Sequence, residues 1–358
     1  MLSEVGSKGI GAPPAHSERA LMDAAPPPAA AETFVVGDIG GTNARLQCFT
    51  GEKLVFERTY STSSCTVFAD AFAQFLADAG NATPAAACLA VAGPVSANTC
   101  AMTNIAWVID GDELAAQFGL GAVRVLNDFE ALAWGVMELP DDQLLPINDA
   151  PRNPQGAVVV VGPGTGLGEA SLVYSAAAGS YVCVPGEGGH ADFAPRGDLQ
   201  RELAAYVERE DGHCEVEALC CGAGLVRIYD FLRGRMRPSP ERPALEPADV
   251  SMRGLSGQCP LCSDALDMFL QILGAEAHNC ALNLLATGGV YIAGGIPPKL
   301  RSRIEQGGLK RAFLHSRSRF HPLLKTFPVH IVLDEGAGLR GALAVARGAS
   351  SSAALGEP

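Results

Sequence analysis

The chain has 358 residues, 48% apolar and 18% charged, enough for two domains with separate cores. Its 26 Lys and Arg stand against 39 Asp and Glu, and the resulting −13 argues against nucleic acid or an anionic membrane as a general partner. No uninterrupted apolar run reaches the roughly 18 residues a membrane-spanning helix needs.

Residues 1–32 are rich in Ala, Pro, Gly and Ser without a hydrophobic period, and no basic segment precedes an apolar stretch. A disordered tail is expected there, not a signal peptide. Phe34–Phe49 then reads as strand, tight turn, strand: a short apolar run over Phe34–Val36, adjacent glycines, and alternation through Ala44, Leu46 and Cys48. Lys53–Tyr60 continues as a third strand. Val67, Phe68, Ala71, Phe72, Phe75, Leu76 and Ala79 recur at helical spacing. Ala87–Ala92 and Val123–Leu126 read as buried strands, the second delivering the chain to Asn127, Asp128 and a helix opening at Phe129.

Residues 139–156, punctuated by Pro140, Pro146, Pro151 and Pro154, read as a linker into a second domain. Ala157–Val161 is a buried-strand run, followed by a second glycine turn and a strand from Ala170. Tyr181–Val184 ends at Pro185-Gly186-Glu187-Gly188-Gly189-His190. A polar helix is expected over Asp198–Glu210, a surface excursion over the Pro- and Arg-rich residues 234–260, and a long apolar helix over Ser263–Ala286. A strand from Val290 runs into Gly294-Gly295-Ile296. A last strand, Val329–Leu333, precedes a helix over Gly336–Arg347, with a tail from 350 to 358. Alternating strands and helices place the chain in the α/β class with mixed sheets.

Three stretches carry chemistry. In Gly37-Asp38-Ile39-Gly40-Gly41-Thr42-Asn43, the adjacent glycines leave no Cβ in the way of a ligand, and exposed N–H groups can form an anion-binding concavity. A carboxylate beside such a site repels an anion unless a cation lies between, so Asp38 reads either as a Mg²⁺-organising residue or as an ordinary turn residue. The run Gly162-Pro163-Gly164-Thr165-Gly166-Leu167-Gly168 repeats the strand, glycine–threonine turn and strand, and two facing hairpins would clamp a polyphosphate. Neither matches Walker A or the dinucleotide fingerprint. Asn127-Asp128 follows a strand, where open α/β sheets collect ligands. Asp128 there suits a base for phosphoryl transfer, or equally the N-cap of the next helix. Glu187 and His190 sit among Gly186, Gly188 and Gly189, a loop able to bring polar tips onto a small polyol.

The two hairpins resemble the paired phosphate loops of the sugar kinase, actin and Hsp70 ATPase superfamily, and Gly-Asp-Ile-Gly-Gly-Thr-Asn-Ala-Arg-Leu is similar to bacterial glucokinases. Leu126-Asn127-Asp128-Phe129 and Pro-Gly-Glu-Gly-Gly-His-Ala-Asp-Phe resemble that family's sugar motif and hexose loop, and the likeness spans about residues 34–349. It implies a two-domain actin-like (ribonuclease H-like) fold, with residues 33–138 plus 329–349 forming the small domain, 139–328 the large one, and the active site in the cleft between them. It implies ATP and Mg²⁺ as cofactors and glucose as substrate, phosphorylated at its 6-hydroxyl as the first step of glycolysis. Asp128 would be the base, with Asn127, Glu187, His190 and Glu217 on the sugar. Asp38 would organise the metal. Gly40, Gly41, Thr42, Asn43, Gly164, Thr165, Gly166 and Gly168 would cradle phosphate, and Gly294 and Gly295 would face the adenosine. A homodimer is the family expectation. Rival readings are a kinase for mannose or glucosamine and a catalytically silent sugar sensor. An odd number of cysteines, 11, without framework spacing suggests reduced thiols and a cytoplasmic protein. Cys259 and Cys262 have metal or redox spacing but no second pair, so no function is expected of them.

Overall fold

The computed structural model describes residues 31–103, 105–236 and 244–355. The expected tail over 1–32 therefore lies almost wholly outside the described residues. From Glu32 onward the chain forms one contact unit built round two sheets.

The first sheet comprises β1 (Thr33–Ile39), β2 (Asn43–Thr50), β3 (Lys53–Ser61), β4 (Ala86–Val91) and β7 (Ala122–Asn127), in the order β3-β2-β1-β4-β7. Helix α1 (Phe68–Asp78) precedes β4. A two-stranded ribbon, β5 (Thr99–Ala101) and β6 (Val108–Asp110), and α2 (Gly111–Phe118) lead into β7, and α3 (Asp128–Gly135) leaves it. Strand β2 runs antiparallel to β1 and β3, while β1, β4 and β7 are parallel.

The second sheet repeats this plan with β9 (Val158–Pro163), β10 (Leu167–Ser175), β11 (Ser180–Gly186), β12 (Gly289–Ile292) and β13 (Val329–Val332), and adds β8 (Leu144–Asn148) at its edge. Between β11 and β12 come α4 (Gly197–Asp211), α5 (Gly222–Gly234), α6 (Pro247–Leu255) and α7 (Pro260–Leu284). The short helices α8 (Arg301–Ile304), α9 (Gly308–Leu314) and α10 (His321–Leu324) link β12 to β13, and α11 (Ala337–Leu355) closes the chain.

The central strands are apolar throughout because both faces are covered. In β4, Ala87, Leu89 and Val91 face the core containing Phe68, Phe72 and Phe75 of α1. Ala86, Cys88 and Ala90 face α11. In β9, Val159 and Val161 join the core under α7, while Val158 and Val160 meet α3 and its surroundings. Helices α3 and α11 cross closely at two glycines. A Cβ at Gly135 would overlap the carbonyl of Ala337, and one at Gly341 that of Ala131. This crossing touches both sheets, since Ala131 and Leu339 share one core with β4 while Ala133 and Ala337 share another with β9.

Several expectations are corrected. Val329–Val332 was expected in the first domain but pairs with β12 in the second sheet, and only α11 returns to the first. The presumed linker contains β8, whose partner β13 was invisible from local sequence. Within the presumed excursion 234–260, α6 buries Val250, its N-terminus closed by a Glu246–Asp249 capping box; residues 237–243 lie outside the described residues. The last helix continues to Leu355, past the expected start of a tail at 350, and residues 356–358 lie outside the described residues.

Candidate active site

The C-terminal ends of β1, β4 and β7 face the second glycine hairpin across a cleft of about 810 Å³. It is lined by Gly40, Gly41 and Thr42, by Asn127 and Asp128, by Gly164–Gly168, and by Glu187, His190, Glu217 and Gly294. An adjoining recess of about 560 Å³ shares Asp128, Thr165 and Gly294 with it and adds Asp38, Gly295, Lys299, Asp334 and Glu335. Nearly every residue singled out in the sequence thus converges on one place. Asn43 lines neither cavity, but shares a shallower recess with Asp38, Gly40, Gly41, Thr42, Arg45 and Thr59.

The first loop is held from behind. Gly40 N–H donates to Asn43 O (2.9 Å), and buried Thr62 donates its N–H to Thr42 O (2.9 Å) and its hydroxyl to Gly41 O (2.8 Å). In the second hairpin Gly164 N–H donates to Gly166 O at 2.7 Å, and a Cβ at Gly164 would meet nothing. Other glycines there are small for packing reasons. A Cβ at Gly166 would come within 2.5 Å of Glu217 Oε2, and one at Gly168 would overlap the Phe129 ring. At the third turn Gly294 has φ +86°, a backbone that L side chains rarely adopt, while the space at Gly295 is open.

Asn127, not Asp128, is the N-cap of α3. Its φ and ψ are −62° and 149°, and its Oδ1 accepts from Phe129 N–H at 2.9 Å while its Nδ2 donates to Gly93 O at 3.2 Å. Asp128 is the first helical residue, and its Oδ1 also accepts from Phe129 N–H, at 3.0 Å. Burial pushes the Asp128 carboxyl up to about 6, the Phe129 N–H opposes this, and the charges of Asp38 and Glu187 add to it.

Asp38 opens to the cleft but is otherwise walled by protein, and this desolvation pushes its carboxyl up. Arg45, opposite it on β2, pulls the other way, but its guanidinium is bonded to Glu57 at 2.9 Å. Among the described residues no side chain neutralises Asp38 by direct contact.

The Glu187–His190 loop is braced by the segment before α5. Val216 N–H donates to Ala191 O (3.0 Å), Glu217 N–H to Gly189 O (2.8 Å) and Phe193 N–H to Cys214 O (2.8 Å). Glu217 then spans two pieces of the site, its Oε2 accepting from Leu167 N–H at 2.6 Å. His190 Nδ1 lies 3.2 Å from Glu215 Oε2, and that contact, with the charges of Glu217 and Glu187, raises the imidazole pKa.

Two residues escaped the sequence reading. Glu215 carries His190, and its signal was the Glu-Val-Glu alternation that puts Glu215 and Glu217 on one side of buried Val216. Glu169 lines the cleft from β10, and its signal was a carboxylate inside a strand otherwise without charge. Cys259 caps α7, its Sγ accepting from Cys262 N–H at 3.4 Å. Among the described residues no group of prospective metal ligands includes Cys259 or Cys262.

The glucokinase family matches residues 35–349. The chain is similar to the glucokinase of Synechocystis sp., 35% identical over 346 residues that span 86% of this chain and 96% of the relative. It is similar to that of Pectobacterium atrosepticum, 38% identical over 322 residues spanning 89% and 98%. Among solved structures, glucokinase from an Antarctic psychrotroph superposes with a TM-score of 0.79 at 29% identity, covering 88% of this chain and 99% of that one. A ROK family glucokinase from Streptomyces griseus in complex with glucose and AMPPNP shares the fold, with a TM-score of 0.59 at 21% identity over 88% and 99% of the two chains. The architecture is that of the two-domain actin-like sugar kinases, mixed sheets flanked by helices. The chain belongs to the glucokinase family and is a sugar kinase acting on glucose.

Proposed function

We propose that this chain transfers the γ-phosphoryl group of MgATP to the 6-hydroxyl of glucose, with Asp128 as general base. The observation that carries the reading is Asp128 itself. It stands at a strand end between the two glycine hairpins, is released from capping by Asn127, and has a carboxyl raised to about 6. A base of that strength is ionised at neutral pH and accepts a hydroxyl proton more readily than an ordinary aspartate.

The hairpin amides of Gly40–Thr42 and Gly164–Gly168 would hold the phosphates, and the Gly294-Gly295 turn the nucleoside. The complex of the Streptomyces griseus neighbour with glucose and AMPPNP supports a nucleoside triphosphate donor. Asn127, Glu187, His190 and Glu217 would hold the ring, Asn127 through the second hydrogen of its amide, Glu217 through Oε1 and His190 through Nε2, the atoms their protein contacts leave over. Asp38 fits a Mg²⁺ ligand, because its desolvated carboxylate lacks a direct cationic partner and Mg²⁺ is commonly held by one or two carboxylates plus phosphates. Bound there, the ion would offset phosphate charge.

Two domains, 33–138 with α11 and 139–332, would close over the substrates and exclude water. Asn43, whose carbonyl accepts from Gly40 N–H, would support the turn. A homodimer, a cytoplasmic location and a place at the entry to glycolysis complete the reading.

A coupled assay with glucose, mannose and glucosamine against ATP, ADP and polyphosphate tests it. Glucose with ATP and Mg²⁺ should give the highest kcat/KM, and chelating the metal should abolish turnover. Faster turnover of mannose or glucosamine would replace glucose as the substrate. Glucose binding without turnover would mark a sugar sensor.

A further inference from the structure

We propose that Glu169 is a positioning residue for the Glu187–His190 loop: it holds a proton against Glu276, and losing that proton displaces the loop from the hexose. This rests on the reading of Glu187 and His190 as sugar ligands.

Glu169 lies directly under the loop. It pairs with Gly186 across β10 and β11, and its Oε2 is so close to Gly188 that a Cβ there would overlap it. Its other oxygen, Oε1, is buried without a hydrogen-bond partner among the described residues. An ionised carboxylate in that position would carry an uncompensated charge.

Hydrogen counting points the same way. Cys280 Sγ on α7 is 3.5 Å from Glu169 Oε2 and 3.5 Å from Glu276 Oε1. A thiol has one hydrogen and serves one of these acceptors, so the other contact needs a proton from a carboxylic acid. Glu276 is the better place for the negative charge. Its Oε2 accepts from Asn279 Nδ2 at 3.1 Å, and Arg196, ahead of α4, interacts with it favourably. The remaining titratable group facing the pair is Cys220, ahead of α5, whose thiol burial keeps neutral. Among the described residues no cation offsets Glu169 directly.

Burial, reinforced by Glu276 and opposed by the Cys280 contact, pushes the Glu169 carboxyl up to about 7. The acid is therefore neutral on the acidic side of neutrality and ionised on the alkaline side. Above neutrality two adjacent carboxylates compete for one thiol hydrogen. Movement of the Gly188 backbone, which rests on Glu169, lets water reach the new charge.

The test is equilibrium glucose binding to the full chain, read by intrinsic fluorescence, with glucose as the probe. If only the protonated form holds the loop in place, affinity in the wild type should weaken roughly thirtyfold between about pH 6 and about pH 8.5, in proportion to the competent fraction. Glu169→Gln, a neutral isostere, should weaken much less over the same range. Glu276→Gln removes a charge that raises the Glu169 carboxyl, so the loss of affinity should set in at lower pH than in the wild type. His190 titrates in all three proteins, so differences among them isolate Glu169. A wild-type profile without this alkaline loss, or a Glu169→Gln profile matching the wild type, would overturn the proposal. Glu187→Gln tests the underlying reading separately. It should weaken glucose at every pH, and no effect there would remove the loop from the sugar site whatever Glu169 does.

Discussion

Replacing Asp128 with Asn tests the mechanism at its centre, because it changes activity and stability in opposite directions. General-base contributions are typically ~10²–10⁴-fold, so kcat should fall by at least that order while glucose affinity changes far less. The pH–rate profile of the wild type carries the same information. With the carboxyl near 6, roughly a tenth of the enzyme holds an ionised base at about pH 5, so kcat should fall there. An aspartate at the ordinary 3.8 would keep nearly full activity at that pH.

Stability moves the other way. The Asp128 carboxyl ionises near 3.8 in the unfolded chain and near 6 in the folded one, so the folded state binds more protons within that window. Stability is therefore lost as pH rises through the window, and the loss is complete above about pH 6. The gap corresponds to at most ~3 kcal/mol. The side chain meets some solvent, so about 1–2 kcal/mol is expected. The neutral Asn should recover this at pH 7, raising Tm on the order of 2 °C per kcal/mol, and its amide oxygen can still accept from Phe129 N–H. A variant that is stabler and nearly inactive is the expected result of a steady-state assay paired with thermal melting. Near-wild-type turnover would refute the base assignment, and a marked loss of stability would refute the electrostatic account of the site.

Three further perturbations follow from the geometry. Glu187→Gln should raise the KM for glucose strongly with a smaller effect on kcat, measured in the coupled assay. Gly341→Ala places a methyl group against the Ala131 carbonyl where α3 and α11 cross, and should lower stability by at least ~1–3 kcal/mol in denaturant unfolding. Cys259→Ser keeps an N-cap acceptor on α7, so Tm and turnover should be unchanged, and metal analysis of the wild-type protein should find no stoichiometric zinc.

The pieces of the site were legible in the sequence because each is a contiguous stretch whose residue types suit one task. The glycine turns, Asn127-Asp128 and the Glu187–His190 loop each follow a recognisable strand, and strand ends are where such residues reach a ligand. Buried runs such as Val158–Val161 announced themselves by being apolar on both faces. Local pattern specifies which face is apolar but not which partner covers it, and that is where tertiary structure decided the outcome. Strand β13 was assigned to the wrong sheet, and β8 was read as linker, because strand pairing is made between distant residues. Asn43 does not line the larger cleft although Gly40, Gly41 and Thr42 beside it do. Asn127 is the N-cap and Asp128 the first helical residue, a choice made by backbone geometry where the sequence allowed either. The raised carboxyls of Asp128 and Glu169 are set by burial and by charges brought from other elements. Electrostatic energy depends on distance and desolvation, and only the folded chain defines either.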